Sequence, residues 1–256
     1  MIKRVSCVLR LCDSTQGRVL QANEVRFWLD GIAVTPLYKP GGYFVLIDLP
    51  EGVHHIAIRS AAFQPDELDD VRVDYSRPFD QTMDVRTVVL NPSASHPAAR
   101  SGVAIKGRFS GGRTAFYIAR GKAQLKLAQD GAVAGMCRLK LFSGTKRILL
   151  PSLFYIRDKM AKQGEFVMVT ASDEDEYTLG SPLRYPHKRS ADFVPMVRYL
   201  SEADGSFFAV LPTGYSPDPD TGRIEAELLI EQSDTLISKT VSLSAKSEND
   251  LGEISP

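Results

Sequence analysis

The sequence predicts an all-β protein, and three observations carry that prediction. Short runs of aromatic and β-branched residues recur along the 256 residues, divided at close intervals by Gly, Pro, Asn, Asp and Ser, the pattern of sandwiches and barrels. Helical periodicity is confined to 156–163, which stops at Gly164, and to 190–193. One phrase also occurs twice: Gly42-Tyr43-Phe44-Val45-Leu46-Ile47-Asp48-Leu49-Pro50-Glu51-Gly52 returns as Gly205-Ser206-Phe207-Phe208-Ala209-Val210-Leu211-Pro212-Thr213-Gly214. A Gly opens each run and Leu-Pro-x-Gly closes it, which reads as turn, short buried strand, turn.

In chain order, the alternation of Val5-Ser6-Cys7-Val8-Leu9-Arg10-Leu11 makes a first strand. Further strands are expected at 25–29, 43–47, 55–58, 85–90, 103–109, 115–118, 124–127, 137–142, 147–150, 165–170, 177–179, 207–211, 224–230 and 240–243, each rich in residues that suit a pleated surface. Pro50 and Gly52 suit a tight turn, so 43–47 and 55–58 are expected to pair antiparallel, burying Tyr43, Val45 and Ile47 against Ile56 and Ile58. Ser110-Gly111-Gly112 reads as a β-hairpin turn. Residues 91–102, rich in Pro, Ser and Ala, read as a linker. This gives a domain 1–90, a β-rich region 103–245, either one domain or two, and a polar flexible tail 246–256. Pro182, Pro186 and Pro195 mark 181–195 as irregular.

Composition narrows the class. Hydrophobic residues make up 43% and charged residues 24%, as in an ordinary globular protein, and no run approaches a membrane-spanning length. Arg10 and Asp13 interrupt what would be the apolar part of a secretion signal, so the expectation is synthesis in the cytoplasm without one. Cys7, Cys12 and Cys137 have neither disulfide nor zinc spacing and read as small buried hydrophobes in a reducing compartment. The net charge of zero is a cancellation. Residues 1–105 hold 11 basic and 12 acidic side chains, 106–159 hold 12 and 2, and 160–256 hold 8 and 17. Such segregation gives either a dipolar surface that docks complementary partners or two segments that neutralise each other internally.

The first ninety residues resemble a carboxypeptidase regulatory-like (transthyretin-like) β-sandwich module. The resemblance is carried by Asp13-Ser14-Thr15-Gln16-Gly17, by Val25-Arg26-Phe27-Trp28-Leu29-Asp30-Gly31, by Lys39 to Gly52, and by His54 to Pro65, with a partial echo at 204–214. It implies a transthyretin/Ig-like sandwich, followed here by a second sandwich or barrel, and accessory, adhesive or assembly roles rather than catalysis. Phage-tail-like and virion particles combine such modules with cytoplasmic assembly and release by lysis, and the overall setting resembles theirs.

Specific chemistry finds little in the sequence. Adjacent strand residues point to opposite faces, so His54 and His55 do not chelate one ion; one packs inward and the other is solvated. Asp173-Glu174-Asp175-Glu176 reads as a solvated turn, and Asp218-Pro219-Asp220-Thr221-Gly222 as an Asp/Gly turn rather than a calcium loop. There is no nucleophile elbow, and Gly107 to Arg113 lacks the Gly-Lys-Ser/Thr ending of a phosphate loop. The basic stretch meets an acidic protein surface more readily than a nucleic acid, given the neutral total. The expectation is therefore a non-enzymatic structural or adaptor subunit with no cofactor and no metal site. Its partners would be other protein subunits, self among them, with no membrane insertion. Arg108, Arg113, Lys126, Lys140, Trp28 and Tyr185 are the candidate interaction residues. The alternative is a carbohydrate- or surface-binding module stacking ligand on Trp28, Tyr38, Tyr43 or Tyr185.

Overall fold

The structure, a computed structural model, describes residues 3–76, 85–121, 123–143, 150–159, 163–212, 214–232, 235–245 and 248–255. It is all-β and divides into two compact units. One comprises Met1–Ile105, Phe208–Val210 and Lys246–Glu248; the other comprises Lys106–Phe207, Leu211–Ala245 and Asn249–Pro256.

The first unit carries β1 (Val5–Asp13), β2 (Arg26–Leu29), β3 (Ile32–Val34), β4 (Leu37–Lys39), β5 (Tyr43–Ile47), β6 (Gly52–Arg59), β7 (Asp66–Val73) and β8 (Val85–Leu90). They form two four-stranded sheets, β4-β5-β1-β8 and β3-β2-β6-β7. Cys7, Leu9, Leu11, Phe44 and Leu46 of one sheet meet Phe27, Ile56, Ile58, Leu68 and Val71 of the other in one buried cluster, which makes a β-sandwich. Two expectations are corrected here. The inward row of β5 is Phe44 and Leu46, whereas Tyr43, Val45 and Ile47 are half-buried. Nor do β5 and β6 pair with each other: β5 pairs with β1, and β6 with β2 and β7. The Leu49–Gly52 turn carries the chain from one sheet to the facing one, so neighbours in sequence pack face to face rather than edge to edge.

The β2–β3 turn positions a charged pair. Asp30 and Gly31 have φ of 49° and 81°, the conformation of a type I′ hairpin turn. This brings the Asp30 carboxylate to 2.7 Å from Nδ1 of the buried His54, whose Nε2 lies 2.9 Å from the Pro50 carbonyl oxygen. Both neighbours are acceptors, so the protonated ring is the form that donates to both. The hydrogen bond to Asp30 and then the one to Pro50 hold the His54 pKa above its ordinary 6.5. In turn the bonds from His54 and from the His55 N–H hold Asp30 below its ordinary 3.8. His54 thus packs inward with both nitrogens satisfied, while half-buried His55 reaches towards Glu67 and Asp69.

Residues 91–102 are ordered within this unit rather than forming a free linker. The Ser93 N–H donates to the Ala62 carbonyl, and α1 (Pro97–Ser101) is capped by the buried His96, whose Nδ1 accepts from the Ala98 N–H. Cys7 and Cys12 are buried, and burial pushes the Cys7 thiol up to about 11, but Cys137 is exposed just before a strand.

The remaining strands are β9 (Ala104–Phe109), β10 (Ala115–Ala119), β11 (Leu125–Leu127), β12 (Arg138–Ser143), β13 (Ser152–Asp158), β14 (Gln163–Asp173), β15 (Glu176–Leu179), β16 (Asp192–Leu200), β17 (Ser206–Val210), β18 (Arg223–Gln232), β19 (Thr235–Ser244) and β20 (Glu248–Ile254). Six of them, in the order β11-β12-β15-β14-β13-β16, close into a barrel through the β11–β16 pairing. Phe154, Ile156, Val167, Val169, Leu139, Leu141, Leu125 and Phe193 fill its interior, each burial contributing roughly 1.5–3 kcal/mol. The second half of β16 leaves the barrel to pair with β10, extending the sheet through β18 to the edge strand β19.

The helical expectations fail in this unit. Residues 152–158 alternate inward and outward as β13, and 192–200 form β16 with Pro195 inside it. Phe154 and Ile156 are inward residues of a strand whose end, Asp158, is also buried. Ser110-Gly111-Gly112 is a turn, but β9 and β10 belong to different sheets. The strand expected at 147–150 lies outside the described residues apart from Leu150. The tail is β20, with Ile254 buried, in a three-stranded sheet β17-β9-β20.

The doubled phrase has a common physical cause. Gly42 and Gly205 have φ of 78° and 87°; a Cβ would lie 2.5 Å from Val19 Cβ at the first and 2.1 Å from the Phe109 carbonyl oxygen at the second. Two residues on, Phe44 and Phe207 are both buried.

Gly205→Ala is therefore expected to cost at least about 1–3 kcal/mol in denaturant unfolding. Gly111→Ala, whose Cβ would meet open space, is the near-neutral control. For the His54–Asp30 pair, the raised histidine pKa stabilises below the unfolded value and is lost as pH rises through the folded one. The depressed aspartate pKa stabilises above its unfolded value and is lost as pH falls. Asp30→Asn is thus expected to destabilise the sandwich most between pH 3.8 and 6.5 and progressively less at alkaline pH, read by urea unfolding across that range.

Candidate functional site

The most unusual chemistry lies at one end of the barrel. There the connections 128–137 and 180–191 meet beside the end of β13. The two segments are zipped together. Ala132 and His187 exchange hydrogen bonds of 2.8 Å, the Gly135 N–H donates to the Leu183 carbonyl, and the Leu183 N–H donates to that of Met136. Leu183, His187, Ala132 and Ala191 point into the barrel and plug it.

Two carboxylates hold this plug. Glu165 stands in the inward row of β14 with Val167 and Val169, and Asp158 stands in that of β13 with Phe154 and Ile156. They are 6% and 4% exposed, and His187 between them is 3% exposed. Glu165 accepts the N–H of Arg184 at 2.9 Å, the N–H of Tyr185 at 3.0 Å and His187 Nε2 at 3.0 Å. Asp158 accepts the N–H of Lys188 at 2.7 Å and faces His187 Nδ1 at 3.8 Å. Burying an ion costs several kcal/mol unless its lone pairs are filled. Here the donors come from the loop itself, as charge-assisted bonds. The exchange fixes the backbone of a surface segment that proline would otherwise leave without partners.

The trio suits clamping rather than group transfer. The carboxylates sit on opposite ring nitrogens, so they do not converge on one ion. His187 Nε2 is bonded to Glu165, and Nδ1 has no hydrogen-bond partner among the described residues. Asp218 is likewise occupied by its own turn, accepting from Asp220, Thr221 and the Thr221 hydroxyl. Among the described residues no group of three or more His, Cys, Asp or Glu is arranged to hold a metal, and no helix is long and apolar enough to cross a membrane.

Outside the plug, the surface is apolar and basic. Val133 is 64% and Tyr185 43% exposed, and Arg184, Lys188 and Lys159 are exposed beside them. Arg189 pairs with Asp130 at 2.7 Å.

The structure scatters the sequence-derived interaction residues. Only Tyr185 belongs to this surface. Lys126 pairs with Asp192 at 3.2 Å and Lys140 with Asp175 at 3.9 Å, while Arg157 pairs with Glu227 at 2.5 Å. The basic stretch is thus partly neutralised by the acidic stretch of the same unit. Arg108 and Arg113 are exposed, and Arg108 donates to the Asp204 carbonyl. Trp28, Tyr38 and Tyr43 are half-buried on the sandwich, Tyr38 packing on Phe44 and bonding Gln21. Glu165, Asp158, His187 and Val133 were missed. The legible signal was Glu165 in step with Val167 and Val169; the helix assigned to 156–163 concealed Asp158.

No protein-family model and no curated protein matches this chain. Among solved structures, it is similar to the major pilin subunit of Bacillus cereus at 10% identity and a TM-score of 0.25, over 94% of this chain and 68% of that one. It is also similar to the TIE protein of Bacillus anthracis at 8% identity and a TM-score of 0.24, over 99% of this chain and 51% of that one. Likeness at this level identifies neither a family nor a function.

Glu165→Ala is expected to lower the stability of the barrel unit by about 3–5 kcal/mol, because two backbone N–H groups and a histidine lose a buried charged acceptor. Asp130→Asn, which removes only an exposed pair, is expected to cost under about 1 kcal/mol in the same urea titration.

Proposed function

We propose that this chain is a non-enzymatic structural or adaptor subunit of a larger protein assembly, in the manner of a phage-tail-like or virion particle. The observation that carries the reading is the clamped plug, in which ionisable groups are buried to hold an exposed apolar and basic loop in one conformation. A preorganised loop loses little entropy on docking, which suits a permanent protein contact. Two further features support it. Among the described residues the ten-residue strand β19 pairs on one side only, leaving an edge able to accept another strand. The resemblance of the first ninety residues to carboxypeptidase regulatory-like modules also fits an assembly role. In this reading the chain is made in the cytoplasm, joins its partners there and leaves with the particle on lysis.

Gentle lysis of the native source followed by sedimentation, with peptide identification of co-migrating chains, tests the reading. The chain is expected in a complex many times its own 28.2 kDa, with a fixed set of other subunits. Recovery as a lone 28.2 kDa chain contradicts it.

A further inference from the structure

Among the described residues the two ends of the barrel differ in charge. β14 runs from one to the other: Glu165 lies under the plug, and Asp173 lies eight residues further on. At roughly 3.3 Å per residue they are about 26 Å apart. Beyond Asp173 the β14–β15 turn presents Asp173, Glu174, Asp175 and Glu176, all exposed. Glu174 at φ 51° tightens that turn into a projecting tip. Lys140 pairs with Asp175 at 3.9 Å. At the plugged end Arg184, Lys188 and Lys159 are exposed near Tyr185 and Val133, and the exposed Arg189 is paired with Asp130. The negative charges beneath them, Glu165 and Asp158, are already filled by backbone N–H groups and His187.

We propose that the plugged end of one copy receives the acidic β14–β15 tip of a second copy, so that copies associate head to tail. The inference rests on the structural-subunit reading and deepens it by naming one partner as the chain itself. Charge complementarity selects this occupant: the tip is a narrow acidic projection, and the mouth is a rigid basic surface with an aromatic anchor. The contact is heterologous, joining different surfaces of the two copies, so it repeats from copy to copy instead of closing as a two-fold dimer. Arg184 and Lys188 steer the approach, and Tyr185 with Val133 supplies the part of the contact that salt does not screen.

The test is sedimentation velocity of the full chain over a concentration series, at low salt and at about 0.5 M salt, where charges are screened within a few ångströms. The wild type is expected to form a ladder of multiples of 28.2 kDa at low salt that shortens at high salt. Arg184→Glu with Lys188→Glu turns the mouth acidic in one variant, and Asp173→Lys with Asp175→Lys sets two lysines against Glu174 and Glu176 and so cancels the charge of the tip in the other. Each double variant is expected to run as a single chain. Mixed in equal amounts they are expected to form a one-to-one pair, the unaltered tip of the first variant in the unaltered mouth of the second, which a folding defect in either could not do. Tyr185→Ala is expected to weaken the ladder at both salt concentrations. A wild type that stays monomeric at low salt, a ladder indifferent to the reversals, or a mixture that fails to form that pair overturns the proposal. If the native material still sediments with other subunits in any of those cases, head-to-tail pairing is wrong and the structural-subunit reading stands.

Discussion

A carboxylate in the inward row of a barrel strand must find its hydrogen bonds where it stands, and this constraint organises the second unit. Glu165 and Asp158 follow the same alternation that buries Val167, Val169, Phe154 and Ile156, so strand periodicity alone carries them inside. Their donors include backbone N–H groups of the 180–191 connection, those of Arg184, Tyr185 and Lys188. The 180–191 connection therefore closes over the barrel end, drawing His187 and Leu183 in as a plug. An apolar pair at 158 and 165 would seal the barrel as well, at lower desolvation cost, but would leave the loop backbone unheld. What the ionic solution adds is a fixed shape on the outer surface.

The same balance explains the charge distribution. A stretch with 12 basic and 2 acidic residues beside one with 8 and 17 suggests a strongly polar surface, yet Lys126–Asp192, Arg157–Glu227 and Lys140–Asp175 join the two stretches within one unit. Antiparallel pairing brings distant sequence side by side, so a dipole along the chain need not be a dipole in space. The polarity that survives is shorter in range. It separates the tip at 173–176 from the mouth around Tyr185.

Local pattern was readable from the sequence, and pairing was not. Alternation located β1, β5, β6, β8 and most strands of the second unit, because period-two burial is written in adjacent residues. It assigned neighbours wrongly at 43–58, where chain proximity suggested a hairpin and the strands lie in facing sheets. The doubled Gly-to-Pro phrase was legible because its cause is local: a positive φ and no room for a Cβ at Gly42 and Gly205. Segment 156–163 went unread as strand because Arg157 and Asp158 look like the polar face of a short helix once Gly164 is taken as a stop. That misreading removed half of the clamp, since Asp158 gains its role only when aligned with Phe154 and Ile156. Tyr185 was legible only as an aromatic able to stack on a ligand; its rigidity comes from residues that precede it by 20 and 27 positions.

Amide hydrogen exchange of the 183–188 segment tests the clamp most directly. If Glu165 and Asp158 hold the loop as described, the N–H groups of Arg184, Tyr185 and Lys188 exchange as slowly as those of β13 and β14, although the side chains are exposed. They would then open only with the barrel itself. Exchange of these three amides at the rate of an unstructured loop, while the barrel strands remain protected, would contradict the account.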